Sequence, residues 1–264
     1  MEFFDSHSHY NDEKFDGDRE ELIRKTKEEG ISRWNCVGYD VESSRFSVDL
    51  ARKYPFIYAV CGVSPNDVPD GIEGIDTMVE QIRELIVQDD KKRIVAVGEI
   101  GLDYYWNKEN KEIQKRLFER QIEMANDYGL PIVIHTREAV EDTLTMLKEH
   151  PVEKRGVFHC CPLNRELVKE ALKLDFFISF AGPITFKNAK NAEEIVKMVP
   201  MNRMLIETDS PYLAPEPKRG SRNDSRNVRL VAQKIADFKG ISLEEVAEQS
   251  YRNALTIFGK ISQK

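Results

Sequence analysis

Phe3-Phe4-Asp5-Ser6-His7-Ser8-His9 reads as a first strand that ends in ligand-type residues. Phe3 and Phe4 favour the pleated, half-buried surface of a sheet. Side chains of a strand alternate between its two faces, so Asp5, His7 and His9 leave on the same side. Two parallel imidazoles beside a carboxylate make half of a metal site. A lone His-x-His is more often a solvated strand end, so the weight of this reading depends on what the other strands carry.

They carry more of the same. Apolar runs recur at 31–37, 56–63, 93–99, 131–135, 156–159, 176–180 and 203–209. Runs apolar on both faces suit strands covered on both sides, as in parallel sheets. Helical spacing fills the intervals at 16–29, 43–54, 75–87, 111–128, 137–150, 165–174 and 190–199, with further helices at 227–238 and 243–258. Eight strand-then-helix units predict an α/β fold, a (β/α)8 TIM barrel of one domain over residues 1–264. An open doubly wound sheet is the rival. His9, Glu99, His135, His159 and Asp209 decide between them, because all fall at C-terminal strand ends. In an open sheet those ends fan out in a line, whereas in a barrel they converge on one mouth.

Composition narrows the class. Of 264 residues, 41% are hydrophobic and 32% charged, as in a soluble globular protein. No apolar run approaches the ~20 residues that span a bilayer. Met1-Glu2 leads straight into the first strand with no room for a signal peptide, so the expected place is the cytoplasm, without membrane contact, as a monomer or weak oligomer. Cys36, Cys61, Cys160 and Cys161 form neither a disulfide framework nor a C-x-x-C zinc pair and are read as reduced; Cys160 follows His159 and so falls near the site. The net charge is -7, from 39 basic and 46 acidic residues. Such a chain has no general attraction to nucleic acid, and any phosphate recognition must be local.

The candidate ligands are His7, His9, Glu99, His135, His159 and Asp209. They include four of the five histidines; the fifth, His150, precedes Pro151 and reads as a solvated helix cap. A buried carboxylate without a partner costs several kcal/mol or more. No Lys or Arg stands beside Glu99 or Asp209 on its own strand end, so divalent cations are the natural partners. Four imidazoles and two carboxylates exceed what one ion needs. They suit two ions sharing a bridging carboxylate, with positions left for water and substrate.

These pieces resemble the TatD family of metal-dependent hydrolases, within the amidohydrolase-like barrels. The resemblance rests on Asp5-Ser6-His7-Ser8-His9, Gly98-Glu99-Ile100-Gly101-Leu102-Asp103-Tyr104, Pro131-Ile132-Val133-Ile134-His135, Phe158-His159-Cys160 and Glu207-Thr208-Asp209-Ser210-Pro211, with Ser179-Phe180-Ala181-Gly182 and Arg252-Asn253-Ala254 as further matches. It covers essentially the whole chain. It implies two divalent ions (Mg2+, Mn2+ or Zn2+): His7, His9 and Asp209 on the first, His135 and His159 on the second, and Glu99 between them. It implies catalytic roles for Glu99 and Asp209, the latter orienting the attacking water and taking its proton. Glu207, two residues earlier, is expected to stand behind them. The activity implied is that of a deoxyribonuclease releasing nucleotides from DNA, 3'-5' exonuclease-like, with single strands or 3' ends as substrate.

The chain departs from the family pattern in one place that matters. Relatives carry Gly-x-His-Pro-His after the third strand, where this chain has Gly62-Val63-Ser64-Pro65-Asn66. Neither replacement can carry a positive charge near pH 7, which leaves room for the alternative of an amidohydrolase or esterase acting on a small amide or ester. The loop after strand eight departs too, reading Pro217-Lys218-Arg219-Gly220-Ser221-Arg222 through Ser225. Two features bear on substrate. Tyr104 and Trp106, with Tyr105 between them, follow Glu99 and are candidates to stack on unpaired bases, though loop packing is the commoner use of such residues. Arg219 and Arg222, among Lys218, Arg226 and Arg229, are candidates for a phosphate clamp, though such clusters are usually solvated.

Overall fold

The apolar runs form the strands expected of them. The computed structural model describes residues 1–259. Its strands are β1 (Phe3–Ser8), β2 (Ile31–Val37), β3 (Ile57–Cys61), β4 (Ile94–Asp103), β5 (Ile132–Arg137), β6 (Gly156–Phe158), β7 (Phe177–Phe180) and β8 (Met204–Ile206). They lie in one sheet in chain order. The helices are α1 (Arg19–Glu28), α2 (Val41–Lys53), α3 (Ile72–Val87), α4 (Lys111–Asp127), α5 (Val140–Glu149), α6 (Arg165–Lys173), α7 (Ala192–Met198), α8 (Val228–Lys239) and α9 (Leu243–Ile257). The chain is a (β/α)8 barrel. Two compact units make it up: Met1–Cys36 with His159–Thr256, and Val37–Phe158 with residues 257–259.

In the first unit β1 runs parallel to β2, with Phe3 opposite Ile31 and Ser8 opposite Cys36. Beyond β8 the chain returns to β1 through a parallel bridge between Ser8 and Ser210. The His9 amide donates to the Ser210 carbonyl (2.7 Å) and the Asp209 amide to the His7 carbonyl (2.9 Å). Phe3 and Phe4 of β1, Trp34 of β2, and Tyr10 and Phe15 are all fully buried; Tyr10 stacks on Phe15 with centroids 5.1 Å apart. The Asn253 side-chain amide on α9 donates to the carbonyls of Met201 and Met204, tying that helix to the start of β8.

In the second unit β3, β4, β5 and β6 are consecutive parallel neighbours. Helix α4 locks two strand ends with a pair of buried glutamines on one face, Gln114 and Gln121. Gln121 accepts from the Val63 amide (2.8 Å) and donates to its carbonyl (2.9 Å), standing in for a neighbouring strand. Gln114 does the same for Asp103 (2.8 and 2.9 Å). Three elements differ from the sequence expectation, and β5 is one, running on to Arg137 where a helix was expected to begin. β4 continues past Glu99 to Asp103, because Gln114 and β5 supply partners for its extended backbone. β8 stops at Ile206, so Glu207 and Asp209 lie in the turn beyond the strand rather than alternating along it.

Candidate metal centre

In the first unit the exchange of amides between 7–9 and 209–210 draws Asp209 alongside the two histidines that close β1. The Nε2 atoms of His7 and His9 lie 3.2 Å apart, and Asp209 Oδ1 lies 3.7 Å from the first and 3.3 Å from the second. Ligands about 2.0–2.1 Å from a tetrahedral zinc ion stand roughly 3.3–3.4 Å from one another. These three atoms therefore fit around one divalent ion, and they form one of the metal-compatible groups of the described residues. The His159 ring stacks on His7, with centroids 3.9 Å apart. Burial pushes the Asp209 carboxyl up, but the hydrogen bond from His9 and the charges of His7, His9 and His159 outweigh it and hold the group below the usual carboxylate range.

Strained backbone surrounds these groups. Asp209 has φ +56° and Cys160 φ +37°, a region that costs L residues about 1–3 kcal/mol. Buried acceptors hold them there. Glu207, fully buried, accepts from the Cys160 amide at 2.6 Å and lies 3.4 Å from His159 Nδ1. Asp5 accepts from the hydroxyl (2.6 Å) and amide (2.9 Å) of Thr208. Desolvation pushes the Asp5 carboxyl up to about 7 despite these bonds.

In the second unit the Glu99 amide is anchored on the Gly38 carbonyl (3.0 Å). His135 stands between two carboxylates: its Nδ1 is 2.9 Å from Glu99 Oε1 and its Nε2 2.9 Å from Asp103 Oδ2. Burial raises the Asp103 carboxyl, yet the His135 bond and charge and the amides of Trp106 and Tyr105 bring it below the usual range. Asp103 was not among the sequence candidates. Gly101 masked it in the sequence, since a glycine there reads as the end of a strand until β5 is placed beside it. Ser64 and Asn66, at the positions of the family histidines, turn inward on their own unit. Ser64 donates to Asp67 (2.6 Å) and Asn66 reaches Asp103 (3.4 Å), while burial raises the Asp67 carboxyl.

The substrate candidates divide. Tyr104 is 5% exposed and gives its hydroxyl to Asp142 at 2.6 Å, so its ring packs the fold. Trp106 is 69% exposed. The guanidinium of Arg137, two residues past His135, lies over the Tyr105 ring (3.7 Å) and near the Trp106 ring (5.4 Å); that cation was not foreseen. Arg222 grips Asp18 with both nitrogens (2.8 and 2.5 Å) and donates to the Lys14 carbonyl. Arg226 is held by Asp224 and Glu29. Arg219 lies over the Phe186 ring at 4.2 Å and makes no ion pair among the described residues. His150 caps α5, with Nδ1 3.8 Å from Glu119. No helix of the described residues is long and apolar enough to cross a membrane, and none of the four cysteines is in a disulfide.

An eight-stranded barrel bearing these imidazole–carboxylate groups at its strand ends is the architecture of metal-dependent hydrolases. Residues 4–259 match the family of TatD related DNases, and the chain belongs to that family. The metal-dependent hydrolase YabD of Bacillus subtilis is 42% identical, over 97% of this chain and 98% of its own. YcfH of Escherichia coli, described in the same words, is 35% identical over 98% and 96%. The crystal structure of the TatD homologue YjjV from Escherichia coli superposes with a TM-score of 0.90 at 25% identity, covering 97% of this chain and 98% of that one.

Proposed function

We propose that this protein is a two-metal deoxyribonuclease that removes nucleotides from single strands or 3' ends of DNA, in the cytoplasm. The observation that carries the reading is the convergence of His7, His9 and Asp209 on one ion-sized space, in a chain matched from end to end by a family of related DNases. His7, His9 and Asp209 would hold one divalent ion; Glu99, with His135 and His159, would hold the second. Such ions supply Lewis acidity to a phosphoryl oxygen and lower the pKa of a water toward neutrality. The protein's own part is orientation and proton handling. Asp209, its carboxyl held below the usual range by its histidines, would accept a proton from the attacking water through a carboxylate oxygen. Trp106, exposed beside Arg137, offers a face to an unpaired base.

Ser64 and Asn66 favour a second reading, hydrolysis of a small amide or ester. Neither residue offers a cation to a phosphate, and both spend their donors on Asp67 and Asp103. A panel of single-stranded DNA, RNA, a simple phosphodiester and simple amides separates the two, run after exhaustive chelation and again with Mg2+, Mn2+ or Zn2+ restored. The expected result is metal-restored release of nucleotides from DNA. Undiminished turnover with metal content near zero would sink the metal mechanism, and turnover of amides alone would put the second reading first.

A further inference from the structure

Glu99 and Asp103 of β4 both reach the His135 ring, one from each side of Gly101. The parallel register sets His135 of β5 beside Gly101. Gly101 has φ +139°, and a Cβ there would lie 2.0 Å from the His135 carbonyl oxygen. Only glycine lets the strands approach this closely, with a carboxylate to each side of the gap. The imidazole spans them, Nδ1 to Glu99 and Nε2 to Asp103, both at 2.9 Å.

The two carboxylates are not equivalent. Asp103 is fully buried. Its Oδ1 accepts from the amides of Tyr105 (2.9 Å) and Trp106 (3.2 Å), and its Oδ2 receives Asn66 Nδ2 (3.4 Å) as well as the imidazole. Four donors fill the roughly four lone-pair sites that a carboxylate offers. Nothing remains on Asp103 for a cation, and an acceptor-only group must meet an N–H. Neutral imidazole has a single N–H, and here it belongs on Nε2.

We propose that Asp103 is a positioning residue for His135: it takes the Nε2–H, fixes ring and tautomer, and leaves Nδ1 as the ligand atom beside Glu99. This rests on the two-metal reading above. Carboxylates behind metal-bound histidines are worth about 10–100-fold in metal affinity. Asn66, where the family pattern has a histidine, then acts on the same centre by holding Asp103.

The test uses the full-length protein with 15N-labelled histidine, loaded with 113Cd. Long-range proton–nitrogen spectra should show His135 carrying its proton on Nε2, with cadmium coupled to Nδ1. Asp103→Asn should weaken cadmium binding at this position by about 10–100-fold in calorimetry and leave the His7, His9 and Asp209 position unchanged. Cadmium coupled to Nε2, or an Asp103→Asn protein that binds as tightly as wild type, overturns the positioning role while the two-metal reading stands. Cadmium coupled to no atom of His135 overturns both. Should Asp103→Asn fail to fold, the wild-type tautomer and coupling still decide.

Discussion

Replacing Gly101 by Ala tests whether the close approach of β4 and β5 is as demanding as its geometry indicates. Two costs add. A non-glycine residue held at φ +139° carries strain of roughly 1–3 kcal/mol. The new Cβ would also sit 2.0 Å from the His135 carbonyl oxygen, a backbone atom that cannot rotate away; overpacking of this kind costs about 1–3 kcal/mol. The sum, roughly 2–6 kcal/mol, is a large part of a typical stability of about 5–15 kcal/mol. At about 2–4 °C per kcal/mol for a chain near this size, Tm should fall by roughly 4–24 °C. Gly220→Ala is the control. Gly220 has φ +90°, but a Cβ there would meet no atom within 4 Å, so only the strain applies, roughly 1–3 kcal/mol. Thermal unfolding followed by circular dichroism, on both variants in parallel, gives the answer. A Gly101→Ala protein that melts within about 2 °C of wild type, or no lower than Gly220→Ala, would refute the reasoning.

Asp209→Asn should fold and lose about 10²–10⁴-fold in kcat on DNA, the usual worth of a general base; retention of more than roughly a third of kcat would show that the base lies elsewhere. Trp106→Ala should raise KM on single-stranded DNA by the equivalent of ~1–3 kcal/mol with little change in kcat, and equal effects on both constants would place the ring in packing instead. Arg222→Ala should leave DNA turnover alone and lower stability by about 0–1 kcal/mol, the worth of a half-exposed ion pair. Its sign with pH is fixed by Asp18, whose carboxyl the Arg222 hydrogen bond holds below the usual range. The pair's contribution is present above the unfolded carboxyl pKa of about 3.9 and disappears as pH falls through the lowered folded value. Urea titrations should therefore show wild type and Arg222→Ala converging below that pH, and a gap that widens in acid would contradict the assignment.

The alternation of apolar runs with helical segments, such as Phe56 to Val63 and Arg93 to Val97, made a parallel α/β sheet legible, and the polar residues at the strand ends pointed to the barrel over an open sheet. The two His-x-His imidazoles and Asp209 were legible as well, since each is an ionisable residue at the tip of an apolar strand. What escaped were the polar contacts that span sequence distance. Gln114 and Gln121 look like ordinary members of a charged helix, and only the packed helix shows them serving as backbone substitutes. Asp103 was hidden by the glycine before it, which reads as a strand terminus unless the neighbouring strand is known. Arg222 looked like a clamp because its partner, Asp18, lies 204 residues away in sequence. Surface charge runs announce their sign, while their partners depend on the fold.

Sequence distance also sets the order in which the centre can come into being. The Asp5–Thr208 bond beside His7, His9 and Asp209 joins residues 203 apart, whereas Asp103 and His135 are 32 apart. Translation proceeds at roughly 5–20 residues per second, so Asp209 leaves the ribosome roughly 4–15 s after His135. During that interval the nascent protein can assemble one imidazole–carboxylate group and cannot complete the other. On the proposed chemistry, a chain still being translated cannot yet act on DNA, and becomes a hydrolase only when its last strand closes on its first.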